Sequence, residues 1–303
     1  MQRLLVCRPQ GGLNDMLCQI EQCCRYAERF DRTVLVETDY AHATYFNDSF
    51  ARYFVSHQRR LVFKTDHIDA YGDMTDVFPA VAAGRMTEYL PRFDRKTGRF
   101  VDDASDVPLS FDFSRDYGEG VLLHHASGGG TMSVNALSRM RLHDNVTDLL
   151  LWRLRVIGER YSAVHIRNSD YKTKYEQKID QLGAGIAGPI FVATDNRNCL
   201  TYCRTVFGAD RVKTFARLPA VAGEPLHRGG VPDAYEANRD AIVDVLMLAM
   251  AGTFYALELE KNDAGAKYSG FSTLAMSLQA SKPLLSRLIA RADPDLDRVL
   301  WSS

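Results

Sequence analysis

The chain has 303 residues, of which 46% are hydrophobic and 25% are charged, and its formal net charge is −1. This length exceeds that of a single core and favours two domains, and the charge argues against nucleic acid as a partner. No apolar run approaches the ~20 residues that span a bilayer, and the first residues run directly into a predicted strand, so we expect a cytoplasmic protein without a transmembrane segment.

The first part of the chain has the pattern of an α/β domain. A buried strand over Leu4–Cys7 precedes the Gly11–Gly12 turn, an apolar helical pattern over 14–30 and a strand over 33–37. This order predicts a right-handed βαβ unit in a parallel sheet. Weaker patterns over 66–117 favour short strands and acceptor-specific loops. Aromatic residues here and just before could stack on sugars or belong to the core: Tyr40, Tyr45, Phe46, Tyr71 and Tyr89.

A second βα series follows. A strand over 121–125, the glycine run Gly128–Gly130 and a helix over 147–161 separate the two series, so we expect domains over 1–140 and 141–303. The later strands are predicted over 162–166, 189–194, 211–215 and 253–257, with helices over 197–207 and 240–251.

The six cysteines lie mostly in apolar helical or strand patterns and form no Cys-x-x-Cys pair, which favours reduced thiols in the core. Cys199 and Cys203 would share a helix face, but no second pair of ligands has the spacing of a zinc site. The sequence therefore predicts no structural metal.

The most informative motif ends the strand over 162–166, where His165 and Arg167 stand two residues apart. Period-2 geometry puts both side chains on one face. A guanidinium beyond a strand end in an open α/β sheet lies where such folds bind ligands, and it can grip two phosphate oxygens. This predicts a diphosphate site, with a surface Arg and a structural His as the alternative. Asp170 either orients Arg167 or faces solvent.

Two further motifs also follow predicted strands. Gly11 and Gly12 allow backbone amides to approach an anion at a helix start. A tight turn with Asn14 or Asp15 as the helix N-cap explains the same residues. Asp195 ends a strand, where its carboxylate either accepts hydrogen bonds from guanine or ribose or caps the next helix.

The last motif gathers hydroxyls and backbone amides at a helix start, which suits phosphate oxygens; it consists of Ser269, Gly270, Phe271, Ser272 and Thr273. Ser272 and Thr273 are the expected phosphate ligands. Asp244 lies inside an apolar helical run and needs a buried partner, for which Arg239 or an amide of the serine motif is available.

Other signals are weaker or absent. His124, His125 and His227 are acid or base candidates that fit structural roles better, so the general base is not identified. No Asp-x-Asp lies between the strands to hold a divalent ion, and the run Asp293–Asp297 has the pattern of a polar turn. This favours metal-independent chemistry without a cofactor. No Gly-x-Gly-x-x-Gly follows the first strand, which argues against an NAD-type oxidoreductase.

In their order and separations, the four motifs resemble the fucosyltransferase superfamily, which includes nodulation α1,6-fucosyltransferases, α1,2-fucosyltransferases and protein O-fucosyltransferases. The resemblance implies the α/β GT-B fold, in which two Rossmann-like domains face each other across a cleft, with the acceptor on the N-terminal side and the nucleotide sugar in the C-terminal domain. It implies metal-independent, inverting transfer of L-fucose from GDP-fucose to a hydroxyl of a glycan acceptor, for which we expect a role in surface polysaccharide synthesis.

The resemblance also implies roles for single residues. Gly11, Gly12 and Asn14 would line the donor sugar, although Asn14-Asp15 departs from the commoner Gly-Asn-Gln form. Arg167 would contact the β-phosphate, and Asp195 would hold the guanosine half with help from His165. Arg167 and Asn14 are the expected catalytic residues, because diphosphate charge grows as the glycosidic bond breaks.

Two alternatives stay open. One is a transferase for another nucleotide sugar, and the other is a non-catalytic nucleotide- or glycan-binding protein of the same fold. The expected partners are the donor and a glycan acceptor. A lipid-linked acceptor would add a peripheral membrane association.

Overall fold

The structure, a computed structural model, describes residues 3–40, 43, 45–64, 74–183, 185–215, 217–218, 233–260, 262 and 265–291. Three features named from the sequence lie outside the described residues: Tyr71, His227 and the run Asp293–Asp297. The chain divides into two compact units, residues 1–143 and residues 144–303.

The first unit is built on a parallel sheet. Its strands in chain order are β1 (Leu4–Gln10), β2 (Thr33–Val36), β3 (Phe54–Ser56), β4 (Leu61–Phe63), β5 (Val77–Phe78), β6 (Pro91–Asp94), β7 (Arg99–Asp102), β8 (Val121–Ser127) and β9 (Met140–Leu142), and its helices are α1 (Leu13–Phe30) and α2 (Ser133–Leu137). Five strands form the main sheet in the order β4-β2-β1-β8-β5, all parallel. β3 pairs with β9 and β6 with β7, both antiparallel. The predicted parallel βαβ unit is confirmed by β1, α1 and β2.

The second unit repeats this plan. Its strands are β10 (Ser162–Ile166), β11 (Ile190–Thr194), β12 (Val212–Lys213) and β13 (Thr253–Ala256), and its helices are α3 (Asp144–Ile157), α4 (Tyr175–Gly183), α5 (Arg197–Phe207), α6 (Ala234–Met250), α7 (Gly270–Gln279) and α8 (Lys282–Ile289). The strands form a parallel sheet in the order β12-β11-β10-β13. A helix connects each strand to the next, as parallel pairing requires.

Two helices differ from their predicted bounds. α3 ends at Ile157, because Gly158 adopts a φ of +95°, a conformation that ends helices. α6 begins at Ala234, well before the predicted start at residue 240, because the Asp233 side chain accepts a hydrogen bond from the Glu236 amide and caps it. The first turns of α6 are polar and give no apolar signal.

The cores follow the apolar patterns. All six cysteines are buried with free thiols, which confirms the expectation of reduced core residues. Tyr40, Phe46 and Tyr89 are buried, so these aromatic side chains belong to the core and do not offer open surfaces for stacking. Among the described helices, none has the length and apolar character needed to cross a membrane.

Candidate functional site

In the second unit, three polar segments meet at one edge of the sheet. Since the strands are parallel, the residues that follow β10, β11 and β13 lie at the same edge. The serine motif at the start of α7 joins them, because His165 Nδ1 lies 2.6 Å from the Ser272 hydroxyl. The structure thus brings His165, Arg167, Asp195 and the serine motif into one region.

Arg167 is held by two carboxylates. One Nη lies 2.9 Å from Asp195 Oδ2 and the other lies 2.7 Å from Asp170 Oδ1. The Arg167 side chain is 19% exposed, so it is only partly covered by the protein. Of the two interpretations of Asp170, the structure shows the one in which it orients Arg167.

Asp195 fixes the loop that carries Arg167. Its carboxylate is 3% exposed and also accepts hydrogen bonds from the Asn168 amide, at 2.8 Å, and from the Ser169 hydroxyl, at 2.5 Å. The alternative in which Asp195 caps α5 is wrong. The cap is Asn196, whose side chain accepts from the Asn198 amide at 2.9 Å.

Two further hydrogen bonds that hold the same loop were not predicted from the sequence. The Thr173 hydroxyl donates to the Arg167 carbonyl at 2.6 Å, and the Asn196 side chain donates to the Asn168 carbonyl at 2.7 Å. The density of short polar side chains after Arg167 was the available signal, because such residues form local bonds to the backbone. These bonds make the Arg167 loop a preorganised element.

His165 is neutral at physiological pH. Burial, and next the nearby charge of Arg167, lower the pKa of His165 to about 3. The residue is 6% exposed, and the centroid of its ring lies 5.0 Å from that of Phe271. In this structure, His165 therefore links β10 to the start of α7 and is not placed to exchange protons near neutral pH.

The hydroxyls of the serine motif have partners within the protein. Ser269 is the N-cap of α7 and accepts from the Ser272 amide at 3.1 Å, and the Thr273 hydroxyl donates to the Ser269 carbonyl at 3.1 Å. Ser272 is buried. The amides of Gly270 and Phe271 stand in the first helical turn, where no intrahelical acceptor exists, so they are the better placed donors to an anion.

The prediction that Arg239 pairs with Asp244 is wrong. The Asp244 carboxylate lies 2.7 Å from Nη1 of Arg153, and Arg153 also forms an ion pair with Asp240. Arg239 is not the partner of Asp244. Burial raises the pKa of Asp244 to about 7, against the lowering effect of the Arg153 charge. Arg153 comes from α3, so this pair depends on the packing of α3 against α6, which no local pattern shows.

In the first unit, the residues that follow β1 pack against the glycine run Gly128–Gly130 that follows β8. Gly11 has a φ of +105°, which favours glycine. A β-carbon on Gly129 would lie 2.3 Å from Asp15 Oδ1, so any other residue at this position would displace this carboxylate. Asn14 is buried, donates to the Gly130 carbonyl at 3.2 Å and accepts from the Ser133 hydroxyl at 2.7 Å. No role for the run Gly128–Gly130 was predicted from the sequence.

The two described histidine candidates for acid or base are buried in hydrogen-bonded positions. His124 lies 2.7 Å from Gln19 Oε1, and burial lowers its pKa to about 4. His125 lies 2.8 Å from the Tyr89 hydroxyl and 3.3 Å from that of Tyr40. Both therefore serve the structure. Within the described residues, no three His, Cys, Asp or Glu side chains are grouped as a metal site requires.

The chain has the GT-B fold, with two Rossmann-like units, and this is the fold of the fucosyltransferases. It is similar to the structure of NodZ alpha-1,6-fucosyltransferase soaked with GDP-fucose, with a TM-score of 0.58, 15% identity and 92% of this chain and 93% of that chain covered. Fucosyltransferase NodZ from Bradyrhizobium matches with a TM-score of 0.59, 15% identity and 91% and 92% coverage. The apo form of POFUT1 matches with a TM-score of 0.53, 13% identity and 93% and 96% coverage.

These likenesses confirm the resemblance that the motifs indicated, at the level of the fold. No protein-family model and no curated protein sequence matches the chain.

Proposed function

We propose that the protein is a glycosyltransferase that transfers L-fucose from GDP-fucose to a hydroxyl of a glycan acceptor, without a metal ion and with inversion, in surface polysaccharide synthesis. The observation that carries the proposal is the preorganised Arg167 at the carboxyl edge of the second sheet, two residues after His165, which contacts the start of α7. Proteins of the same fold have been crystallised with GDP and soaked with GDP-fucose, which supports this donor.

The chemistry follows from the leaving group. As the bond to the sugar breaks, negative charge grows on the diphosphate, and a fixed guanidinium stabilises that charge more in the transition state than in the ground state. The helix start at Gly270 and Phe271 adds backbone donors and the positive end of a helix dipole. Together, these groups take the part that a divalent cation has in other transferases.

The two carboxylates around Arg167 have different roles in this proposal. The Asp170 side chain is 26% exposed, so a phosphate oxygen can take its place on the guanidinium. The Asp195 side chain is 3% exposed and bonded to the loop backbone, so it keeps Arg167 in position throughout. Asp195 is then a positioning residue, and a direct contact of Asp195 with guanosine stays a prediction.

The other assignments also stay predictions. The first unit would take the acceptor and the second unit the nucleotide sugar. Gly11, Gly12 and Asn14 would line the donor sugar. His165 would hold the nucleotide by fixing Ser272, and the phosphates would meet the motif from Ser269 to Thr273. Asp244 would support the site by tying α6 to α3.

Calorimetric titration of GDP, UDP and GDP-fucose into the protein in metal-free buffer tests the donor. We expect binding of GDP and GDP-fucose and little binding of UDP. Preference for UDP would overturn the assignment of the donor. Incubation with GDP-fucose and an acceptor panel, followed by NMR of the product, then tests transfer and the anomeric outcome. Tight GDP-fucose binding without turnover on any acceptor would favour the non-catalytic binding protein.

A further inference from the structure

The residue that follows Arg167 is held by side chains at the start of α5. The Asn168 N–H donates to Asp195 Oδ1 at 2.8 Å, and the Asn168 carbonyl accepts from the Asn196 side chain at 2.7 Å. The Asn168 side chain donates to the buried Cys199 sulfur at 3.4 Å. The segment 195–199 therefore binds both backbone polar groups and the side chain of the residue next to Arg167.

Asn196 has two partners that belong to different elements. Its Oδ1 accepts from the Asn198 amide at 2.9 Å and caps α5, while its Nδ2 donates to the Asn168 carbonyl. The residue is 7% exposed, so both bonds are largely shielded from water. The parallel register sets Ile166 opposite Thr194, so the residues that follow these two strands run side by side. A carboxylate could cap the helix in the same way but has no proton to donate to a carbonyl.

We propose that Asn196 is a further positioning residue for the nucleotide: by tying the cap of α5 to the loop that carries Arg167, it keeps the guanidinium in the direction that a diphosphate requires. The inference rests on the proposed function. Hydrogen bonds between a guanidinium and phosphate oxygens depend on direction, which is set by the backbone from which the side chain projects. Without the bond from Asn196, the loop backbone gains freedom, and the nucleotide has to order it on binding.

Calorimetric titration of GDP into wild type, Asn196→Ser and Asn196→Ala in metal-free buffer tests this role. Asn196→Ser keeps a helix cap but removes the donor to the Asn168 carbonyl, so GDP should bind about three- to tenfold more weakly. Asn196→Ala removes the cap as well, so it should show a similar loss of affinity together with a lower melting temperature than Asn196→Ser.

The loss of affinity should depend on Arg167. In the Arg167→Ala background, Asn196→Ser should change GDP affinity by less than about twofold, because the group that Asn196 positions is gone. Thr201→Gly is the matched control for a weakened helix. Thr201 is exposed in the middle of α5, and its hydroxyl donates to the Arg197 carbonyl of the same helix. Glycine there weakens α5 without touching the loop, so GDP affinity should stay that of wild type.

NMR of the protein with isotope-labelled arginine follows Arg167 without any nucleotide. The Arg167 Nε–H signal, assigned by its loss in Arg167→Ala, should have the heteronuclear NOE of a rigid group in wild type. We expect a lower NOE in Asn196→Ser and an unchanged one in Thr201→Gly.

Three results of the GDP titrations would each overturn the inference: wild-type affinity in Asn196→Ser, an equal loss in Thr201→Gly, or an undiminished loss in the Arg167→Ala background. Absence of GDP binding to wild type would remove the proposed function instead. The NOE of Arg167 would then decide the inference alone, since a lower value in Asn196→Ser supports it and an equal value overturns it.

Discussion

Arg8 and Arg167 each lie near the carboxyl end of an inner strand of a parallel sheet, one in each unit, yet their surroundings differ. Arg8 is 2% exposed, lies 2.7 Å from Glu37, and has its guanidinium carbon 4.7 and 5.1 Å from the ring centres of Tyr40 and Tyr89. Arg167 is 19% exposed, and its partner Asp195 also accepts hydrogen bonds from the loop that follows Arg167. The comparison teaches that an arginine at this edge supports the fold when enclosed and is available to a ligand when only partly covered.

The largest expected effect separates these two arginines. Arg8→Ala should lower the free energy of unfolding by about 3–5 kcal/mol, because it leaves the buried Glu37 carboxylate with Lys64 as its remaining ion-pair partner and the Met86 carbonyl without its donor. Arg167→Ala should lower that free energy by less, about 1–2 kcal/mol, since the buried Asp195 carboxylate keeps its hydrogen bonds from the Asn168 amide and the Ser169 hydroxyl. Chemical denaturation of both variants measures this. Equal destabilisation would end the distinction between an enclosed and an available arginine.

The two carboxylates around Arg167 should also differ. Asp195→Asn should weaken GDP binding about 10- to 100-fold, because it loosens both Arg167 and the loop backbone. Asp170→Asn should change affinity about threefold or less, since phosphate replaces this partner in our proposal. Calorimetry compares them at one ionic strength. A stronger effect of Asp170→Asn than of Asp195→Asn would contradict the roles assigned here.

The glycine runs of the first unit allow a sharper test of packing. Gly129→Ala should cost about 1–3 kcal/mol of stability, because the new methyl would displace the Asp15 carboxylate. Gly12→Ala is the matched control, since no atom lies within 4 Å of its β-carbon position, and it should cost less than about 1 kcal/mol. Equal melting temperatures for the two variants would show that Asp15 is not held in place.

The last prediction concerns pH. Burial raises the pKa of Asp244 from 3.8 to about 7, so between these values the folded state binds more protons than the unfolded state. The contribution of Asp244 to stability is therefore full below pH 4 and is lost as pH rises through 7. The charge of Arg153 opposes burial, and this pKa already includes its lowering effect.

Chemical denaturation of wild type and Asp244→Asn at several pH values gives the free energy of unfolding of each and measures this contribution. Asp148→Asn, at an exposed pair, serves as the control. A wild-type curve parallel to that of Asp244→Asn would show that Asp244 does not titrate in this range.

Local patterns predicted much of the fold. The bounds of β10 and α5 were expected as they stand, because continuous apolar runs and helical periodicity mark them directly. The contact between Arg167 and Asp170 could also be predicted, since the two residues lie three positions apart in the sequence.

Other features depend on tertiary packing. The Arg153–Asp244 pair joins two helices far apart in sequence, and the close approach of Gly129 to Asp15 joins the residues after β8 to the start of α1. Neither leaves a periodic signal. The cap at Asn196 was not predicted, and Asp195 stood as the alternative cap, because both residue types favour helix starts and only the geometry distinguishes them.

The central claim is that Arg167 holds the diphosphate of a nucleotide sugar. The most direct measurement is the GDP affinity of Arg167→Ala and of Arg204→Ala, an exposed arginine of α5, in metal-free buffer. The account predicts a loss of about 10- to 100-fold for Arg167→Ala and none for Arg204→Ala. GDP affinity unchanged in Arg167→Ala would contradict it.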